Sequence, residues 1–495
     1  MLLFLFSIAP IVVFLILLLW LKWPLIWSSL IIFLITLLFS VFYWQILPVF
    51  LFNSFAKGTL VALDIFIIVT GAIFFLEILT KTKIIDHISF YLESFSKDYR
   101  VQVILLAWFF ENFIEGTAGF GTPSALVAPL LIALGLQPLL AVSIALLGNS
   151  ASVAFGAAGT PIRVGFAGLN IVNVPMYAAA INIVGFLVPV FMLWLLVAHK
   201  KDRKEQFFEA LPFAIWSGLV FVVCSFATVF LGQEFPSILG SLLGLLIVFA
   251  TTKMGIFVPK NIRSLGNVKV SVKTISFVKS LVPYGLLILL LIAGKFLLGS
   301  ITIPIFGGVK YNYGLFNPGW AFILATLPVV IFWHNKKNLV RPAIVSALKR
   351  TIEPFFVIAF LATMVQIMIN SGQNYSGIAS SLDYLAHGVT SFLLPFWAPV
   401  IGSFGAFITG SATVSNVMFG DLLNVASQAM QMNGAKILAL ALVGGAAGNM
   451  VALADVLAAT TVVGLKNSEH KVVKVVFPYC VIYILLAGVV GLLIV

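Results

Sequence analysis

The chain has 495 residues, of which 62% are hydrophobic and only 9% charged, and its mean hydropathy is +1.16. No water-soluble core-and-surface arrangement tolerates that composition, so a soluble enzyme is excluded and a polytopic membrane protein is expected. The net charge of +12 sits in short loops between apolar runs, where positive-inside bias accounts for it and a nucleic-acid partner is not needed.

In chain order, Met1 leads directly into the apolar run 2–19 with no cleavage pattern before Lys22-Trp23-Pro24, which predicts a retained helix. Runs long enough to cross about 30 Å of hydrocarbon follow at 24–46, 59–80, 176–198, 212–232, 281–299, 354–370 and 476–495, among about fourteen to sixteen hydrophobic segments. The longest connection, about 251–280, is too short for a soluble catalytic domain. Any chemistry therefore lies in the membrane. Cys224 and Cys480 fall inside apolar runs and read as packing residues. No metal-ligand spacing, P-loop or nucleophile elbow is present, so neither metal nor cofactor is expected, and ATP-driven pumping and hydrolysis are disfavoured.

Four basic loops, Lys200–Lys204, Lys253–Lys279, Lys336–Arg350 and Lys466–Lys474, are separated by two, two and four apolar segments, the last four at 354–370, 392–408, 412–431 and 435–460. Every interval is even, which predicts that all four loops face the cytoplasm.

One membrane-buried segment is written twice. The first copy runs Glu111-Asn-Phe-Ile-Glu115-Gly116-Thr117-Ala-Gly119-Phe-Gly121-Thr122-Pro123-Ser124; the second runs Gly405-Ala-Phe-Ile-Thr409-Gly410-Ser411-Ala412-Thr413-Val-Ser415-Asn416. Glycine, proline and hydroxyl residues break the helix inside hydrocarbon, where each unpaired backbone group costs several kcal/mol, so the break needs a reason such as a transport site. Further polar interruptions follow at Asn149-Ser-Ala-Ser152 through Gly159-Thr160-Pro161 and at Gly448-Asn449 with Asp455. The segment before the first copy leads to the basic loop 81–100 and the one before the second leads away from Lys349-Arg350, so equivalent segments are expected to cross in opposite directions.

The predicted fold is an all-α polytopic membrane protein with inverted-topology repeats and broken or re-entrant helices at the midplane. Its expected parts are N-terminal helices (1–58), a first transport repeat (59–198), connecting helices (199–350) and a second, inverted repeat (351–495). A helix restarting after Pro123 presents free N–H groups that attract an anion, together with hydroxyls at Thr117, Thr122 and Ser124. Candidate substrate contacts are thus Gly116, Thr117, Gly119, Gly121, Thr122, Ser124 and Asn149 in the first half and Thr409, Gly410, Ser411, Thr413, Ser415, Asn416 and Asn449 in the second, with Arg163 as the one arginine near a break. Glu115, Glu111 and Asp455 are candidates for proton coupling, since a carboxyl in an apolar segment suits a group that takes up and returns a proton. Asp64, Glu77 and Asp421 are suspects by location, and Lys295 is expected to snorkel to the interface.

The runs Phe113–Pro123, Asn149–Ile162 and Gly405–Gly420 resemble the signature stretches of the bacterial L-lactate permease family, over roughly 59–198 and 350–475. The resemblance implies proton-coupled symport of a small 2-hydroxy monocarboxylate, lactate or glycolate, across the cytoplasmic membrane, with the organic anion, the proton and the lipid bilayer as partners and an oligomer compatible with the reading. Where the family pattern has Ser-Asp-Thr this chain has Ser411-Ala412-Thr413, and where it has Gly-Lys-Met followed by Ser-Pro-Gln this chain has Gly448-Asn449-Met450 followed by Ala452-Leu453-Ala454. Asp455 and Arg163 are the charges available to replace those lost. The alternatives are a sodium-coupled or exchange transporter of another organic anion and, more remotely, a membrane-embedded enzyme acting on a lipid-type substrate.

Overall fold

The computed structural model describes all residues except Met1, Phe120, Asn170, Ile171 and the stretches 265–276, 305–309, 333–335 and 466–467; the basic residues Lys269, Lys273 and Lys466 lie outside the described residues. The chain opens with α1 (Leu2–Leu15), continued by a π-helical turn to Trp20, then α2 (Leu25–Phe42), α3 (Pro48–Lys81) and α4 (Ile84–Ser94). Next come α5 (Tyr99–Ile104), which passes through π-helical Leu105–Phe110 into α6 (Glu111–Thr117), then α7 (Thr122–Ala133), α8 (Pro138–Gly148) and α9 (Gly156–Arg163). α10 (Val174–Ile181), α11 (Val188–Val197), α12 (Arg203–Thr228), α13 (Pro236–Lys253) and α14 (Phe277–Leu297) lead to the short strands β1 (Ser300–Pro304) and β2 (Lys310–Gly314). The remainder is α15 (Pro318–Ala325), α16 (Leu327–Phe332), α17 (Lys336–Asn370), α18 (Ser381–Val389), α19 (Leu394–Thr409), α20 (Ala412–Ala429), α21 (Gly434–Gly448), α22 (Leu453–Val462) and α23 (Glu469–Ile494). Proline at the first or second helical position starts α3, α7, α8, α10 and α13, where its missing N–H costs nothing. Asn433 starts α21 by accepting from the N–H groups of Ala435 and Lys436.

Among the described residues ten helices are long and apolar enough to cross a membrane, or eleven if α8 and α9, bent by 54°, count as one broken span. The protein is polytopic and almost wholly helical. The strand pair, with Ser300 opposite Gly314, is an addition that hydropathy gives no sign of.

Sequence spacing predicts four crossings between Arg350 and Lys466; of the described helices there, α17 and the α21–α22 stretch are long and apolar enough to cross, while α19 is a shorter apolar helix. Ser415 Oγ donates to the Gly402 carbonyl at 2.8 Å, although a straight helix would hold residues that far apart in sequence about 20 Å from each other. The chain has therefore doubled back: α19 and α20 form a helical hairpin that turns at Gly410. The first half repeats the device, with Ser124 Oγ donating to Glu111 at 2.8 Å across the hairpin of α6 and α7. A hairpin changes the number of crossings by two, so the even spacing of the basic loops survives the correction.

α3 and α17 pack antiparallel. Ser54 Oγ donates to the Gln366 carbonyl at 3.1 Å and accepts from Asn370 at 2.9 Å, while Ser346 donates to Glu77 at 2.7 Å near the other end. Gly58 lies so close to Thr363 that a methyl there would overlap it, the small-residue contact that lets membrane helices approach. The order of elements then recurs. A long helix (α3, α17) precedes a short one (α4, α18), a hairpin, a broken span (α8–α9, α21–α22) and a closing stretch (α10–α11, α23). In each half the glycine ending the first part of the broken span, Gly148 or Gly448, abuts the backbone of the hairpin's first arm at Ala107 or Ser403.

Candidate functional site

Both hairpin tips are built from residues that leave the right-handed helix. Gly119 (φ 55°) and Gly121 (φ 70°) turn the first, and Gly410 (φ 72°) turns the second, after which Ser411 caps α20 by accepting from the Val414 N–H at 3.3 Å. Each tip rests on the break of its own half: a Cβ on Gly119 would stand 3.1 Å from that of Ala157, and one on Gly410 would stand 2.6 Å from that of Ala454. Each half also reaches the other. Asn416 donates to the Pro161 carbonyl at 3.0 Å, and Asp455 closes against the Cα of Gly121. Four interruptions far apart in sequence thus meet at one junction.

The junction encloses a cavity of about 30 Å³ lined by Glu115, Gly119, Gly121, Val153, Gly156, Ala157, Thr160, Pro161, Gly410, Ser411, Ala412, Thr413 and Asn449. That leaves room for about two waters, too little for a three-carbon carboxylate without movement of the walls. The lining has hydroxyls, an amide, a carboxyl and irregular backbone, and among the described residues no Lys, Arg or His. Glu115 is 3% exposed and its Oε2 has no hydrogen-bond partner among the described residues. Asp455 is equally buried and accepts from Asn449, whose own Oδ1 is unpartnered.

The other candidates divide clearly. Glu111, fully buried behind the cavity, accepts from Ser124. The hydroxyls of Thr117, Thr122, Thr409 and Ser415 are taken by the carbonyls of Ile114, Gly119, Gly405 and Gly402, so they hold the breaks in shape. Gly116 packs on α13 at Ile238. Asn149 is buried, and its Oδ1 has no partner among the described residues. Arg163 does not line the cavity; it donates to Asp64 at 2.8 Å and to the Phe316 carbonyl at 2.6 Å, and Asn317 also donates to Asp64 at 2.8 Å. Lys295, near the end of α14, pairs with Glu234, which is 2% exposed. Thr160 and Ala157 enter the lining although neither was a candidate. The signal was the Gly156–Pro161 run, but three successive left-handed residues, Ala157, Ala158 and Gly159, are not what two alanines suggest.

A family model described as L-lactate permease matches residues 3–307 and 306–495. The chain belongs to the L-lactate permease family. Its relatives include a Haemophilus influenzae member, 30% identical over 426 residues that make up 78% of each chain. An L-lactate permease of Escherichia coli (strain K12) is 26% identical over 467 residues, 86% of this chain and 83% of that one. A glycolate permease of the same strain is 27% identical over 474 residues, again 86% and 83%. This member of the permease family is therefore a transporter and not an enzyme, a multi-pass protein of the cytoplasmic membrane. Of the departures from the family pattern noted in the sequence, those at Ala412 and Asn449 lie in the wall of the central cavity, and Ala452-Leu453-Ala454 does not line it.

Proposed function

We propose that the chain is a secondary transporter carrying a small 2-hydroxy monocarboxylate, such as L-lactate or glycolate, together with a proton. The observation that carries this reading is the cavity lining: hydrogen-bond donors and a carboxyl, with no fixed positive charge. An anion cannot settle a few ångströms from an ionised Glu115 in a low-dielectric site, because two like charges at 4 Å repel by about 4 kcal/mol even at an effective dielectric constant of 20. A proton on Glu115 removes that repulsion and supplies a donor, so anion and proton enter as a pair. Ser411, Thr413 and Asn449 then offer neutral donors that release the anion as readily as they bind it. Relatives described as L-lactate and glycolate permeases support the substrate class.

The antiparallel packing of α3 and α17 and the recurring element order support two inverted repeats, about 59–198 and 351–495, that rock around the junction. In reconstituted vesicles, Glu115→Gln is expected to keep insertion and to remove uptake driven by a proton gradient; undiminished gradient-driven uptake would reject the role of Glu115. Uptake that follows a sodium gradient and ignores pH would instead assign the protein to sodium coupling.

A further inference from the structure

A second cavity, about 330 Å³, lies at the opposite end of the first hairpin from its tip, between the loop joining α7 to α8 and the end of α11. Its walls are apolar, formed by Leu139, Leu140, Leu195, Leu196 and Val475, and its rim is polar, formed by Gln137, His199 and Lys200 with Tyr99. Gln137, His199 and Lys200 are exposed. Lys200 Nζ stands over the Tyr99 ring at 5.8 Å from its centre.

The acids of this region are already committed. Asp98 pairs with fully buried Arg100 at 2.7 Å, Glu209 with Arg100 at 3.0 Å, and Asp202 and Glu205 with Arg263. The hydrogen bond from Gln206, with Arg263 behind it, holds the Asp202 carboxyl below its usual range, so it stays ionised in that network. No acid pairs with Lys200 or His199 among the described residues. The rim is left cationic at the edge of an apolar slot, on the side where the basic loop 199–204 marks the cytoplasmic leaflet. A soluble anion would gain nothing from the leucine walls, and a neutral lipid nothing from the lysine. A molecule with a negative headgroup and a hydrocarbon chain satisfies both.

We propose that this cavity binds an anionic phospholipid, with the acyl chain among the leucines and the phosphate at Lys200 and His199. The site shares Gly135 and Gln137 with the loop that ties the hairpin to the broken span, so its occupant braces the base of the moving parts.

The test is thermal unfolding of the purified full chain in detergent, titrated separately with dioleoyl phosphatidylglycerol, dioleoyl phosphatidylcholine and inorganic phosphate. Phosphatidylglycerol is expected to raise Tm with saturation while the other two do not. The double variant Lys200→Gln, His199→Gln is expected to weaken the apparent affinity at least tenfold, and Lys200→Arg to restore most of it. Leu139→Trp, which fills the slot, is expected to abolish the response. Equal response to both lipids, an equal response to inorganic phosphate, or a titration that the rim variants leave unchanged would overturn the proposal. The Lys200→Arg variant separates loss of the site from loss of the fold.

Discussion

Gly148 and Gly448 end the first parts of the two broken spans, and a methyl at either would meet backbone atoms, at Ala107 or at Ser403. Backbone cannot turn aside as a side chain does, so Gly148→Ala and Gly448→Ala are each expected to cost about 1–3 kcal/mol through overpacking, read as a lower Tm in detergent. Asn416→Ala removes the bond to the Pro161 carbonyl and is expected to cost about 1 kcal/mol, or more if that carbonyl is left without a partner. At Ala157 the sign reverses. Its φ of 41° is unfavourable for an L-residue by about 1–2 kcal/mol, so Ala157→Gly is expected to raise Tm. The glycines of the breaks were legible in sequence because glycine is the residue that permits such backbone. Ala157 and Ala158 were not, since nothing in alanine asks for a left-handed turn; the flanking Gly156 and Gly159 pack closely against Glu115 and the Gln233 carbonyl.

At the scale of elements, the hairpins and the antiparallel long helices make topological predictions. If α6 and α7 double back as the Ser124–Glu111 bond requires, the loop at Gly135 returns to the face that carries the basic loop at Lys200. The second hairpin likewise returns Gln431 to the opposite face, where Lys436 reaches the Ile494 carbonyl. A single cysteine at Gly135 is expected to react with a membrane-impermeant thiol reagent only from the cytoplasmic side, and one at Gln431 only from outside; the reverse pattern at either would refute that hairpin. The double variant Ser54→Cys, Asn370→Cys is expected to bridge under oxidation, since those side chains bond at 2.9 Å. Hydropathy showed each hairpin arm as an apolar segment, because arms and full spans bury the same kind of surface. What separates them is the depth at which the chain turns, which composition does not encode.

For the whole molecule, stability and transport rest on different charges. Arg100, 0% exposed, joins the base of the first hairpin to α12 through Glu209 and the Gln206 carbonyl, and also pairs with its neighbour Asp98 and donates to the Asn261 carbonyl. Arg100→Gln leaves those acids short of a counter-charge and is expected to cost about 3–5 kcal/mol, measured as loss of folded protein on mild heating. Glu115→Gln, by contrast, is expected to leave Tm nearly unchanged while removing coupling. The sequence by itself determined the membrane class, the places where helices break and the acids near them, because hydropathy and the backbone preferences of glycine and proline act on near neighbours. Only the tertiary structure decided that four breaks share one cavity, that Asp455 closes on Gly121 while Arg163 turns away to Asp64, and that two apolar pairs are hairpins. The physical reason is that a break frees backbone groups without saying which distant residue will satisfy them, and that choice belongs to packing between segments hundreds of residues apart.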